Sequence, residues 1–414
     1  MTSAARDHSL PLAAGRLIEL LRDERRLPPE HEPQLAKIAG ALESLFHHEL
    51  LAVRQRLRRA WDGLQTGDGA ATASTDEQIE LARDLLQTLR RLLRRANFVE
   101  VSADELTDAL RRRSSFGLKI ELDLADFEHL QAWRRRVVRR SQLVPALFGL
   151  KRRRVEVEAY DRFCLFARFK GAAHLDAARG RAEKLGIPPG GVTLRLFQNV
   201  PRLDVEALFP GVRVRMRPFD RALLGVPAVA GLLHFLVFKI GASLGAVVLA
   251  LLVFLGIRKG EPELGAKALG ACASLAVLLA FLFRQWMRFL GRKNLLHRQL
   301  AEHLQACTLD SGLGVLLHLL DEAAEEETAE ALLAYVFLVE SGCPLAAKEL
   351  DQQVEEWLAR RAGIEIDFEE EDALDKLRRF GLVADAGEGR LSAAPPERAL
   401  AQLQARWNEL LRHG

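Results

Sequence analysis

The chain has 414 residues, 49% hydrophobic and 28% charged, with a formal net charge of +3. This is ordinary for a folded protein of two or three domains, and so small a net charge selects no partner by itself. Four widely spaced cysteines, Cys164, Cys272, Cys307 and Cys343, contain no C-x-x-C; they exclude a zinc or disulfide framework and fit a reducing compartment.

The N-terminus, MTSAARDHSLPLAAGRLIELLRDERR, is charged and has no continuous apolar core, so no cleavable signal peptide is expected. Asp7 and the later acids count against a transit peptide. Residues 1–113 read as a helical region. One predicted helix runs from about Leu35 to Leu64. A second, at about 76–96, carries Ile79, Leu81, Leu85, Leu86, Leu89, Leu92 and Leu93 at helical spacing. Between them QTGDGAATAST is a linker. Ser102-x-x-Glu105 is a capping box ahead of Leu106 and Leu110. Within ESLFHHEL, Glu43 and His47 share a helix face, with His48 beside them. A metal site needs more ligands, and no Glu-x-x-His occurs, so surface histidines are expected.

From about 116 the period changes. GLKIELDL, VEVEAYDRFCLFARF, TLRLFQNV and VRVRMRPF alternate or are strongly apolar, which predicts strands. With a helix at about 125–140 among them, residues 116–220 read as a small α+β domain. WRRRVVRR and KRRR place nine positive charges in Arg134–Arg154. A solvated face, anionic lipid heads, an acidic helix and nucleic acid all remain open as its surroundings.

Residues 222–290 are the most apolar part of the chain and read as a membrane region. No charge occurs from Ile240 to Ile257, a run of roughly 27 Å as a helix, flanked by Lys239 and Arg258. A second run, Ala268–Phe283, spans roughly 24 Å, against about 30 Å of hydrocarbon. The expectation is a transmembrane hairpin of two spans, about 240–257 and 268–283, preceded by an interfacial helix at 222–238. A buried helical hairpin is the alternative, but such a helix shows a polar stripe and 240–257 has none. Lys and Arg on both sides of the pair put both termini on the cytoplasmic face of a membrane, the inner membrane in a bacterium. Within the first run GASLG fits the G-x-S-x-G nucleophile elbow. The flanking sequence lacks alternating β and α units and an HGGG-type segment. Gly241 and Gly245 read instead as small residues for close helix packing.

Residues 296–342 form an acidic helical segment. Glu322, Glu326 and Glu330 fall at i, i+4 and i+8, where like charges repel by perhaps 0.2–0.5 kcal/mol per pair. No Lys or Arg lies between Gln299 and Ala347. A solvated face, a basic surface elsewhere in the chain, and a divalent metal held by these three glutamates are the readings. Residues 343–414 read as helix (LAAKELDQQVEEWLARR), strand (IEIDF), helix (EEEDALDKLRRF) and hairpin, a winged-helix-like module. Its stretch Pro344–Pro396 carries seven Lys or Arg against thirteen Asp or Glu. Those acids would repel phosphates, so no nucleic acid is expected.

TLRLFQNVPRLDVEALFPGVRVRMRPFD, Thr193–Asp220, resembles the hallmark of an uncharacterised membrane-protein family typified by transmembrane protein 143 (domain of unknown function 3754). The family pattern is roughly K-x-F-x-x-I-P-x-x-D-x-E-x-L-x-P. Phe197, Pro201, Asp204, Glu206, Leu208 and Pro210 match it, with Arg195 and Val200 standing where Lys and Ile are usual. Asp310–Tyr335 and Val354–Val383 are also similar to blocks of that family. The resemblance implies an integral membrane protein, mitochondrial in animals, with no known activity, cofactor or catalytic residue. The expected fold class is therefore α+β with a transmembrane helical hairpin. The expected function is a membrane-anchored structural or interaction protein, with membrane lipids and a protein partner or a second copy as partners. A lipid-binding protein and a metal-dependent membrane enzyme using Glu322, Glu326 and Glu330 are the alternatives. Pro201 and Pro210 would bound a short helix, LDVEALF, with Asp204 and Glu206 bracing the domain.

Overall fold

Helical periodicity in the first hundred residues becomes three helices: α1 (Ala14–Asp23), α2 (Glu32–Leu64) and α3 (Thr75–Arg95). They are placed by a computed structural model that describes residues 7–24, 26, 28, 31–64, 75–102, 104–105, 119–121, 126–146, 151–170, 190–202, 204–210, 213–215 and 262–413. The leucines that set the period are the ones buried, among them Leu85, Leu89, Leu92 and Leu93 of α3. The capping box is formed: Ser102 N–H donates to the Glu105 carboxylate (3.2 Å), and Glu105 N–H donates to the Ser102 hydroxyl (3.1 Å).

The chain divides into two units. The first comprises Met1–Asp108, Leu124–Arg202 and Cys307–Gly414. Its centre is α5 (Leu313–Ser341), which packs against α1, α2 and α3 and against the C-terminal helices α6 (Ala347–Ala362) and α7 (Glu370–Arg379). Helix α5 is buried nearly all round, as an interior helix must be. Alongside lies an antiparallel sheet in the order β1-β3-β4-β5-β7. Its strands are β1 (Val99–Glu100), β3 (Phe127–Ala146), β4 (Lys151–Phe169), β5 (Val192–Pro201) and β7 (Thr308–Ser311). Trp133, Cys164, Phe166, Leu194 and Leu196 join the same core as the helices.

After α5 come β8 (Leu345–Ala346), α6, α7, β9 (Val383–Gly387), β10 (Arg390–Ala393) and α8 (Pro396–His413). The small sheet runs β8-β10-β9, with helices α6 and α7 between β8 and the β9–β10 hairpin. The stretch IEIDF is not the sheet strand its alternation predicts. It makes a single parallel bridge, Ile366 to Asp7, and the two-residue β8 takes the place beside β10.

The second unit, Ala109–Asp123 and Leu203–Ala306, holds a two-stranded antiparallel pair, β2 (Lys119–Glu121) with β6 (Arg213–Arg215). It also holds a buried 3-10 turn, Val205–Leu208, and nearly all of helix α4 (Pro262–Cys307).

Two expectations are corrected here. The helix at about 125–140 is strand β3, paired with β4 along its length; long-range pairing overrides a run of good helix formers. The transmembrane hairpin, and with it the membrane localisation and the placing of both termini, is also overturned. Among the described residues no helix is long and apolar enough to cross a membrane. The apolar run 268–283 is a stretch of the longer α4, shorter than the roughly 20 residues a span needs, and Arg284 and Arg288 follow it. The run 240–257, the segment 222–238, Ser243, Gly241 and Gly245 lie outside the described residues.

Gly312 joins β7 to α5 with φ +63°. Its N–H donates to the Leu194 carbonyl (2.8 Å), and a Cβ there would meet the Trp61 ring at 3.2 Å. We expect Gly312→Ala to lower stability by about 1–2 kcal/mol. The check is the guanidinium midpoint, and an unchanged midpoint would contradict the account.

Candidate functional site

Helix α5 carries Glu322, Glu326, Glu327 and Glu330, and all four are buried, with Glu326 and Glu330 each 3% exposed. An ionised carboxylate in that setting costs several kcal/mol unless cations and donors surround it. They come from four places in the chain. From β3, Arg135 donates to Glu326 and lies 3.2 Å from Glu322. From β4, Arg162 Nε donates to Glu322 (2.9 Å). At the end of α3, Arg95 makes a forked pair with Glu327, its Nη2 at 2.8 Å. From α7, Lys376 Nζ donates to Glu330 (2.9 Å) and lies 2.6 Å from Asp372.

Two uncharged pieces complete the network. Asn97 turns the chain after α3 with φ +56°, a conformation asparagine tolerates. Its amide donates to both Glu326 (3.0 Å) and Glu330 (2.7 Å). The N-terminal segment lies across the network as a strap. Leu10 N–H donates to Glu326, Arg135 Nε donates to the Ser9 hydroxyl (2.6 Å), and Asn97 donates to the His8 carbonyl (3.2 Å).

Burial pushes Glu330 up to about 7; Lys376 pulls the other way and neighbouring Glu326 adds to the rise. Burial also raises Glu326, against the pull of Arg135. For Arg135 burial acts downward, but Glu326 and Glu322 outweigh it and the guanidinium stays charged. Each of the four glutamates is thus engaged by a cation of the chain, and what the arrangement does is clamp strands, helices and N-terminus to α5. Among the described residues no group of three or more His, Cys, Asp and Glu is placed to hold a metal ion.

The strand that supplies Arg135 does not end at the sheet. Strand β5 covers β4 only over Ala159–Arg168, and β1 covers β3 only at Trp133 and Arg134. Beyond them β3 and β4 continue as a two-stranded ribbon, from Arg139↔Glu158 to Ala146↔Lys151. At its root the pairing skips Arg136 and Asp161. Arg136 has φ +49°, uncommon for a non-glycine residue, and its guanidinium donates to Asp161 (2.6 Å). Further out, Arg139, Arg140, Ser141 and Arg154 are exposed. Past β1, the outer edge of β3 is engaged among the described residues at Val137, whose N–H donates to the Asp7 carboxylate (2.9 Å), which also lies 3.8 Å from Arg134.

The other residues singled out in the sequence are dispersed. Phe197 is buried in β5 and Pro201 ends that strand. Asp204, Glu206, Leu208 and Pro210 are buried in and around the 3-10 turn, with Asp204 4.0 Å from His303. Burial lowers the His303 pKa, and Asp204 opposes the shift. His47 Nδ1 lies 2.9 Å from the Glu43 carbonyl and its Nε2 lies 3.6 Å from Asp321. His48 stands edge-on to Trp407, with ring centroids 6.0 Å apart. These residues border a groove of about 440 Å³ between α2, α5 and α8. Sequence reasoning missed Arg95, Asn97, Arg162, Lys376 and the strap, because no local signal marks a partner more than forty residues away.

Residues 160–314 match the model of a family described as "Protein of unknown function (DUF3754)". The match supports similarity to that uncharacterised domain family, and it carries no membrane typing. No solved structure matches the chain.

Two outcomes test the network. Removing one partner of a buried ion pair strands the other, so Arg135→Met is expected to cost about 3–5 kcal/mol in a denaturant titration. For pH, the folded Glu330 carboxyl binds a proton between its ordinary 4.5 and about 7 that the unfolded chain lacks. Its contribution to stability is therefore fully present below 4.5 and is lost as pH rises through 7. Glu330→Gln should flatten the melting temperature between pH 5 and 8; an unaltered slope would remove Glu330 as the cause.

Proposed function

We propose that the protein is a non-catalytic interaction protein and that the β3–β4 ribbon is its working surface, directed at an acidic protein partner. The observation that carries this reading is the ribbon itself. No Asp or Glu occurs between Glu128 and Glu156, while nine Arg or Lys do. Arg135, Arg136 and Arg134 are engaged at the base by Glu326, Asp161 and Asp7. Arg139, Arg140 and Arg154 are exposed and form no ion pair among the described residues, although the exposed Glu158 and Glu156 of β4 stand opposite Arg139 and Ser141. A two-stranded ribbon is only marginally stable alone, so its anchorage to α5 supports a role that needs it held out in one place. An excess of exposed positive charge steers an oppositely charged partner, and the attraction weakens with salt.

The test is a titration of the full chain with a fluorescent polyglutamate peptide. The triple variant Arg139→Glu, Arg140→Glu, Arg154→Glu is expected to bind at least tenfold more weakly, with an unchanged circular dichroism spectrum. Binding of the parent should fall as salt rises from 0.05 to 0.5 M. Equal affinity of parent and variant, or tighter binding of duplex DNA or phosphatidylserine vesicles than of the peptide, would overturn the reading.

A further inference from the structure

The outer edge of β3 beyond Val137 carries backbone groups as well as charge. Successive residues of a strand point their N–H and C=O to alternate sides, so Val137 fixes the phase of those that follow. Its N–H faces outward, because it donates to Asp7. The N–H and C=O of Arg139 and Ser141 then lie on the same outer edge, away from β4. None of them has a backbone partner among the described residues. An open edge of this kind is a template for another strand, and charged side chains along it restrict what can pair there.

From this we infer that the partner of the ribbon is an extended acidic segment that adds as a strand to the outer edge of β3 at Arg139–Ser141. The inference rests on the reading of the ribbon as a contact surface and names the form its partner takes. Asp7 already shows the chemistry at the neighbouring position: a carboxylate on an extended segment accepts the edge N–H of Val137 and sits beside Arg134. That segment is itself extended enough to bridge Ile366 on its other side. Charge sets the composition of the incoming strand. Arg139 and Arg140 are adjacent, so their side chains leave opposite faces of the ribbon. A strand laid beside them satisfies both only with two consecutive acidic residues, one for each face. Ser141 next to them leaves room for a β-branched residue after the acidic pair. The segment expected is thus a Glu/Asp dipeptide flanked by Val, Ile or Thr, bound by main-chain hydrogen bonds and held in register by two ion pairs, as in other strand-addition complexes.

N-methylation separates main-chain pairing from charge. The parent probe is a capped peptide, Thr-Val-Thr-Glu-Glu-Val-Thr-Val, titrated by fluorescence anisotropy into the full chain. Two further probes carry N-methyl groups on the odd or on the even amides, which removes donors from one edge of the peptide without changing its charge. Strand addition predicts that one N-methyl pattern weakens binding at least tenfold while the other changes it less than threefold. Ser141→Pro, which deletes an outward N–H at an edge where proline is tolerated, should lower affinity for the parent peptide at least tenfold with an unchanged melting temperature. If both N-methyl peptides bind like the parent, or both are equally weakened, strand addition is wrong and the charged contact surface stands. If the parent peptide does not bind at all, the reading of the ribbon fails with it.

Discussion

Taking a carboxylate out of water costs free energy, as lost solvation of the ion or as a raised pKa, and α5 buries four of them within about 12 Å of helix. That cost is the constraint around which the first unit is organised. It is met only when β3, β4, α3, α7 and the N-terminal strap are all in place, since each supplies a donor the others cannot. Apolar packing brings these elements together, as the continuous core of α2, α3, α5 and the sheet shows. The charges then select one arrangement among the ways an apolar core can close, because a helix rotated or slid by one residue leaves a carboxylate facing leucines. The network supplies specificity of assembly more than net stability, in keeping with the small net gain from buried ion pairs.

The same constraint shapes the ribbon. Arg135 is the last residue of β3 committed to the interior, and the chain changes character at the next position. Arg136 adopts a left-handed conformation inside a strand, and its guanidinium closes on Asp161 directly across the ribbon. A backbone conformation of that kind costs of order 1–3 kcal/mol and persists only where the surroundings insist on it. Here the surroundings are a fixed point on one side, Arg135 on Glu326 and Glu322, and a free two-stranded extension on the other. The pairing register is the same on either side of this irregularity.

Much of the architecture was legible in the sequence, and what was not has a common cause. Helices α2 and α3 follow from the leucine period, and strands β4 and β5 from their alternation. The Glu322–Glu326–Glu330 spacing showed one charged face on one helix. A basic surface elsewhere in the chain was one of its open readings, and Arg135 of the WRRRVVRR run meets it. The choice among those readings was not legible, because the cations lie 46 to 191 residues away along the chain. The stretch that forms strand β3 carries a helical pattern for a related reason. Leu130, Trp133, Val137 and Val138 fall at helical spacing among arginines that favour helices, and only the partner strand decides otherwise. IEIDF alternates like a strand and is extended, but β8, two residues long and without a pattern, has the better place beside β10. The apolar stretch 268–283 looked like a span because it was read apart from the 46-residue helix that contains it.

The N-terminal strap has a consequence for how the chain is made. Residues 7–10 precede their partners in the chain, which include Glu326 and the Ile366–Asp367 segment, more than three hundred residues downstream. At about 5–20 residues per second, roughly 20–70 s separate the appearance of Asp7 at the ribosome from that of its partner Asp367. For all of that interval Ser9 and Leu10, fully buried in the finished protein, are exposed on the nascent chain. Closure of the strap therefore waits until the chain has been made as far as Asp367.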